Sequence, residues 1–345
     1  MAATAEAAAS AAASVPGNAQ RPLLKVQGLK THLVLARGVV RAVDGVDLEV
    51  RDGETLGIVG ESGSGKTMTS LSILRILPKP TGRIVEGSIE LDGTDLVPLS
   101  DAAMARDWRG RKIAMVSQDP LTSLNPVFSV GDQVGAPLRY HGLANGRGRL
   151  RDTVAGLLRR VRIPSPEKRL DDYPHQFSGG MRQRVVSAMA IACAPRLLIA
   201  DEPTSNLDVT IQVQMMELFR ELQAETRLGI ILITHDLGVA AGICHRIAVM
   251  YAGRVVETGD VRDIFRRPAH PYTQALLGAI PQLGSGRKKR LQAIPGLPPS
   301  LIDPPKGCRF APRCPHRMPR CDEYPPSFAV GSNHRAACWL AESSA

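Results

Sequence analysis

The chain has 345 residues, 43% hydrophobic and 4% aromatic, with a formal net charge of +10. That length and apolar content allow one large domain or two ordinary ones with a sizeable core. The basic balance favours phosphates, nucleic acid or anionic headgroups as partners, or is simply a solvated basic surface, while so few aromatics argue against a base-stacking face. No apolar run reaches the length of a membrane span: Leu228–Met250 comes nearest and is broken by His235, Asp236, His245 and Arg246.

Residues 1–21 are alanine-rich, without a basic start or a leucine-rich stretch, and read as a disordered tail rather than a signal peptide. The expected setting is therefore the cytoplasm, where stable disulfides are rare. Strands are expected at Leu23–Leu29 and Val39–Val50, bounded by glycines. Glu54–Gly60 reads as a continuous apolar strand of the kind buried in a parallel sheet. A glycine-rich turn follows, then a helix of about a dozen residues to Leu77, stopped by Pro78 and Pro80. Lys112–Gln118 is another strand, and residues 129–195 look helical. Apolar strands return at Arg196–Asp201 and Gly229–Asp236 with a helix between them, and Arg246–Gly259 reads as a hairpin turning at Ala252–Gly253. Strands alternating with helices imply an α/β domain with a mainly parallel sheet, here with an inserted helical subdomain at about 119–195. From about 267 prolines, a basic run at Arg287–Arg290 and cysteines mark a loop-rich module too poor in apolar residues to hold together by a core alone. The basic run reads as a solvated loop, or as a headgroup contact.

The turn GESGSGKT, Gly60 to Thr67, matches the full phosphate-loop pattern between a buried strand and a helix. Gly60, Glu61, Ser62, Gly63, Ser64 and Gly65 form a backbone cradle whose N–H groups face one phosphate chain, aided by the helix N-terminus. Lys66 supplies charge to the β- and γ-phosphates and Thr67 a hydroxyl to Mg²⁺. At the end of LLIADEP, Asp201 is placed to hold Mg²⁺ and Glu202 to orient or deprotonate an attacking water.

The stretch FSGGMRQRV, Phe177 to Val185, resembles the signature of the ATP-binding-cassette (ABC) family, with Met181 where many members carry glutamine. The resemblance covers roughly residues 23–265 and implies an ABC-type P-loop ATPase: a mainly parallel sheet, an antiparallel β subdomain and an inserted helical subdomain. It implies roles for further residues. Gln118 matches the glutamine that reaches metal and water, His235 in ITHD the switch histidine at the γ-phosphate, and SNLD, ending at Asp208, the loop that crosses the dimer interface. Ser178, Gly179, Gly180 and Met181 would meet the ATP bound by the opposite subunit. The family's usual adenine-stacking aromatic is missing from Leu29–Val43; His32 or an aliphatic contact near Val39–Val43 could stand there.

SQDPLTSLNPVFSVGDQV, DEPTSNLDVTIQVQ, RRPAHPYTQALLGAIP and IPGLPPSL resemble the ATPase subunits of bacterial dipeptide/oligopeptide importers. That resemblance implies ATP-driven peptide uptake, with a homologous second ATPase as heterodimer partner, two membrane permeases and an external substrate-binding protein. It places the chain at the cytoplasmic face of the inner membrane. Residues after Gln118 would receive the permease's coupling helices. A nickel or other small-solute importer is the alternative within the subfamily, and a soluble ABC ATPase acting on nucleic acid the alternative outside it.

Cys308, Cys314, Cys321 and Cys338 form a C-x5-C-x6-C-x16-C pattern, without the paired C-x2-C of structural zinc sites. Four thiolates in such a module suit a [4Fe–4S] cluster, which the importer resemblance also implies. Zinc, with His316 and His334 as spare ligands, is the second reading and unligated thiols the third. Cys193 and Cys244 sit in apolar context and read as ordinary buried residues.

Overall fold

The computed structural model describes residues 21–144, 146–205, 207–280 and 294–344; the expected tail and the Arg287–Arg290 run lie outside them. Two sheets organise the chain. The first is antiparallel and four-stranded, with order β2-β1-β4-β5 built from β1 (Leu24–Leu35), β2 (Gly38–Val50), β4 (Gly82–Leu91) and β5 (Thr94–Asp95). β1 runs longer than its sequence implied, and β4 was not foreseen, since its alternation is interrupted at Gly87, where the register with β1 slips.

The second sheet has eight strands in the order β11-β12-β10-β9-β3-β8-β7-β6. Its parallel part is β3 (Thr55–Val59), β6 (Ile113–Val116), β7 (Leu197–Asp201), β8 (Gly229–Thr234) and β9 (Arg246–Tyr251). Every residue of β3, β7 and β8 is buried, which is why these strands read as unbroken apolar runs. The expected hairpin forms from β9 and β10 (Arg254–Asp260).

Helix α1 (Lys66–Ile73) is shorter than the expected dozen residues. Proline does not end it; Arg75 does, by adopting a left-handed conformation with φ +57°. The carbonyls released there accept from Arg109, with Nε bonded to Leu74 O at 2.8 Å and Nη2 to Arg75 O at 2.6 Å. The helical stretch appears where expected, as α2 (Val130–Tyr140), α3 (Arg147–Arg160) and α4 (Gly179–Ile191). Val134, Leu138, Leu158 and Phe177 join Leu198 and Leu232 in one apolar cluster against the main sheet. Then come α5 (Val209–Thr226), α6 (Leu237–Ile243), α7 (Val261–Arg266) and α8 (Pro271–Gly278).

The C-terminal residues are short 3₁₀ turns and two two-residue strands, β11 (Phe328–Ala329) and β12 (Arg335–Ala336). They do not stand apart: β12 pairs with β10 through Glu257–Ala336 and Thr258–Arg335, extending the ATPase sheet. Phe310 completes an aromatic cluster with Tyr251 and Tyr272, the ring centroids lying 4.5–5.4 Å apart, a geometry that adds to area burial.

Candidate active site

Parallel strands bring their C-terminal ends to one edge, so residues that follow them in sequence become neighbours. Gly60 follows β3, Gln118 lies just beyond β6, Asp201 ends β7 and His235 follows β8. The bend that carries Gly60–Thr67 needs its glycines: Gly60 has φ +154° and Gly65 φ +103°. A Cβ at Gly60 would strike Met250 O, and one at Gly65 would strike Ala42 O.

Lys66 is buried and turned into the loop, donating to Gly60 O at 2.8 Å and Glu61 O at 3.0 Å. Burial lowers its pKa, opposed by the carboxylates of Glu202, Asp201 and Glu61. Asp201 moves the other way: burial raises it, and the hydrogen bond with the Thr67 side chain works against that rise. Burial thus pushes both a lysine and an aspartate toward neutrality at the same spot. Ser64 Oγ is buried close to Gly60, without a partner among the described residues.

One carboxylate oxygen gathers the strand-end residues. Glu202 Oε2 accepts from Gln118 Nε2 at 3.2 Å and lies 3.2 Å from His235 Nδ1. Glu202 has φ +46°, and its N–H donates to Ile233 O at 2.9 Å, which fixes the carboxylate at the tip of β7. The phosphate loop, Asp201, Glu202, Gln118 and His235 are thus brought to one edge.

The signature residues lie apart from it. Ser178 caps α4, its Oγ accepting from Met181 N at 3.4 Å. Ser178 and Gly179 are exposed, Gly180 and Met181 half-buried, and among the described residues no hydrogen bond joins any of the four to the phosphate loop. Asp208 is exposed and caps α5, accepting from Ile211 N at 3.0 Å. His32 is half-buried on β1 opposite Arg41 and Arg83, with Nε2 buried and without a partner among the described residues, and Ala42 abuts the phosphate loop at Gly65.

Cys308, Cys314, Cys321 and Cys338 line one small pocket together with His270, His316, Phe310 and Trp339. Burial raises Cys308, Cys314 and Cys338, and neighbouring pocket thiols raise them further; Cys338 reaches about 11. Among the described residues, however, no three His, Cys, Asp or Glu side chains stand where one metal ion could bind them. The donor set fits a thiolate-bound metal group in kind; its separations do not form a ready metal site. His334 is not a spare ligand, because its Nε2 is paired with Glu257 Oε1 at 2.7 Å. Cys193 and Cys244 are half-buried and do not line the pocket.

Sequence reasoning missed what holds this pocket to the ATPase. Arg309 and Arg313 stand beside Cys308 and Cys314 in the sequence. Both are buried. Arg309 reaches Asp44 and Ala252 O, and Arg313 grips Glu61 with Nη1–Oε2 at 2.8 Å and Nη2–Oε1 at 3.1 Å.

Two family models match the chain. The model of the ABC transporter family matches residues 43–205, and that of the oligopeptide/dipeptide transporter C-terminal region matches 256–321. The dipeptide transport ATP-binding protein DppD of Bacillus subtilis is 50% identical over 319 residues, covering 92% of this chain and 94% of the relative. The oligopeptide transport ATP-binding protein OppD of the same organism is also 50% identical over 319 residues, covering 92% and 88%. Among solved structures, a dimeric ATP-binding cassette in a post-hydrolysis state bound to ADP and Pi superposes with a TM-score of 0.62 at 26% identity, covering 69% of this chain and 99% of that one.

Proposed function

Because the chain belongs to the ABC transporter family, among the ATP-binding proteins of oligopeptide and dipeptide transport, we propose that it hydrolyses ATP to power uptake of di- and oligopeptides through a membrane importer. The observation that carries the chemistry is the convergence of Gln118 and His235 on one oxygen of Glu202, beside Lys66 and Asp201. Gly60–Thr67 hold the phosphates through backbone N–H groups, with Lys66 at the β- and γ-phosphates. Glu202 takes the proton of the attacking water, Gln118 and His235 orienting its carboxylate. Thr67, Asp201 and Gln118 would hold Mg²⁺, which supplies charge neutralisation at the phosphates. One carboxylate and a hydroxyl are enough, since Mg²⁺ keeps several waters and takes its other ligands from the nucleotide.

In this reading ATP is sandwiched between two cassettes. Ser178–Met181 and Asp208 serve the opposite subunit, which agrees with the exposure of Ser178, Gly179 and Asp208. The partners are a homologous second ATPase, two permeases and an external substrate-binding protein, and the chain works peripherally at the cytoplasmic face of the bacterial inner membrane. No helix among the described residues is long and apolar enough to cross a membrane. The division at 22–266 and 267–345 separates the hydrolytic unit from the importer-type module. The transport names of the relatives favour peptide over a nickel or nucleic-acid role.

We also read Cys308, Cys314, Cys321 and Cys338 as ligands of a [4Fe–4S] cluster, supported by four thiols on one pocket; binding requires the sulfurs to shift from their present separations. Such a group would supply a covalent cross-link to a module with little core. Iron and acid-labile sulfide in equal amounts are expected on purification; stoichiometric zinc, or no metal, overturns this assignment.

Glu202→Gln tests the hydrolytic reading. Turnover should fall by roughly 10²–10⁴-fold, the range for losing a general base, while nucleotide still binds. In cells carrying the importer the same variant should abolish peptide uptake. Near-normal turnover would overturn the assignment.

A further inference from the structure

The four-cysteine pocket and the phosphate loop meet on one residue, Glu61. Two routes reach it. Arg313, immediately before Cys314, is buried and holds both oxygens of the Glu61 carboxylate, a bidentate arrangement that fixes orientation as well as charge. His270 lines the cysteine pocket and caps α8, its Nδ1 accepting the Tyr272 N–H at 3.0 Å. The Tyr272 hydroxyl then accepts the Glu61 N–H at 2.9 Å.

The His270 ring adds a direct link to the pocket. Since Nδ1 is the acceptor, Nε2 carries the ring proton of the neutral imidazole. That N–H is buried and has no partner among the described residues. It is a donor suited to a thiolate or sulfide held by the cysteines, the kind of outer contact that orients and tunes a metal group.

Glu61 in turn governs Lys66, because its carbonyl and that of Gly60 receive the ammonium. A parallel tie runs from Arg309, beside Cys308, to Ala252 O; the next N–H, of Gly253, donates to Ser64 O at 2.8 Å. Both arginines flanking the first two cysteines therefore brace the phosphate loop.

We propose that Glu61 is the contact through which the cysteine pocket sets nucleotide affinity, with Arg313 and Tyr272 as positioning residues of the phosphate loop. The proposal rests on the reading of Gly60–Thr67 as the ATP site, and does not depend on which metal the thiols take. Coupling of this kind is reciprocal: whatever arrangement of the pocket tightens ATP is itself favoured by ATP.

The test is a set of double-mutant cycles on the full chain, reading the dissociation constant of MgATP and kcat. Arg313→Gln and Tyr272→Phe should each weaken ATP by about 5- to 20-fold, within the usual range of coupling between sites, and leave kcat within about twofold. Arg313→Lys should recover part of the affinity. In a Glu61→Ala background, Arg313→Gln should change affinity by less than about twofold, because the side chain it holds is gone. Cys314→Ser should weaken ATP at least about threefold in the wild-type chain and less in Glu61→Ala, where only the route through Tyr272 and the residue 61 N–H remains. Tyr272→Phe removes only the hydroxyl, so it serves if Arg313→Gln does not fold. Equal effects in both backgrounds, or loss of kcat at unchanged affinity, would overturn the proposal. Metal analysis of the same samples separates it from the cluster reading: a metal-free wild-type chain sinks the cluster and leaves the cycles to decide Glu61. A wild-type chain that binds no ATP sinks the nucleotide-site reading instead.

Discussion

The phosphate site and the cysteine pocket both gather residues distant in sequence, but by opposite means. The phosphate site hangs on the ends of parallel strands and is shaped by backbone: glycines at φ +103° and +154°, carbonyls receiving Lys66, a strand-end Glu202 at φ +46°. The cysteine pocket rests on 3₁₀ turns, two two-residue strands and long side chains that reach across to β2 of the antiparallel sheet and to the phosphate loop. A site made by backbone geometry leaves a contiguous motif; one made by side-chain reach leaves scattered residues whose partners are set only by folding.

The comparison breaks most sharply at Gly60. Gly60→Ala places a Cβ against Met250 O, and since the backbone there has no room to yield, ATP binding should fall by more than ~100-fold, or about 3 kcal/mol in the range of strained functional backbone. Isothermal titration with ATP measures this.

Phe310→Ala attacks the other region. It empties the aromatic cluster with Tyr251 and Tyr272 and should cost about 3–5 kcal/mol. Denaturant unfolding should show that loss, and amide exchange should rise first across Cys308–Ala341 rather than in β3, β7 and β8.

His334→Ala should cost about 3 kcal/mol, because it strips a partner from a buried carboxylate. Acid reaches the same contact. Burial pushes the Glu257 pKa up, but hydrogen bonds from His334 and the backbone of Ala269 and His270 outweigh it and hold the carboxyl below its ordinary value. Asp44 is likewise held down, by Arg254 and Arg309 against the effect of burial. Two depressed carboxyl pKa values mean stability that is full above the unfolded values of about 4 and lost as pH falls through the lower folded ones. Exchange protection of β12 should therefore fade as pH falls below about 4, before that of β8 does.

At the small end, Arg320→Ala removes an exposed pair with Glu342 and a contact over the Trp339 ring at 3.8 Å. A change below about 1 kcal/mol is expected in thermal unfolding. A larger loss would mean that surface contacts, and not the Phe310 cluster, hold the pocket together.

The ATPase sheet was legible because burial on both faces writes unbroken apolar runs, as in Leu197–Asp201 and Gly229–Thr234. The antiparallel sheet was half legible: β4 has one exposed face and a slip at Gly87, so its alternation is blurred. The end of α1 was misjudged because prolines are visible in sequence while the left-handed turn at Arg75 is not. The cysteines were legible as a set. Their distance from a ready metal site, and the pairing of His334 with Glu257, were not.

By itself the sequence determined the bend at Gly60–Thr67 and the pairing of Asp201 with Glu202 at a strand tip, since both depend on neighbours within a few residues. Tertiary structure alone decided that Arg313 and Tyr272 meet at Glu61 and that Arg309 meets Asp44, contacts 252, 211 and 265 residues apart. The physical reason is reach: a backbone cradle is specified by local dihedral preferences, whereas a buried arginine finds its carboxylate only after the sheets have packed.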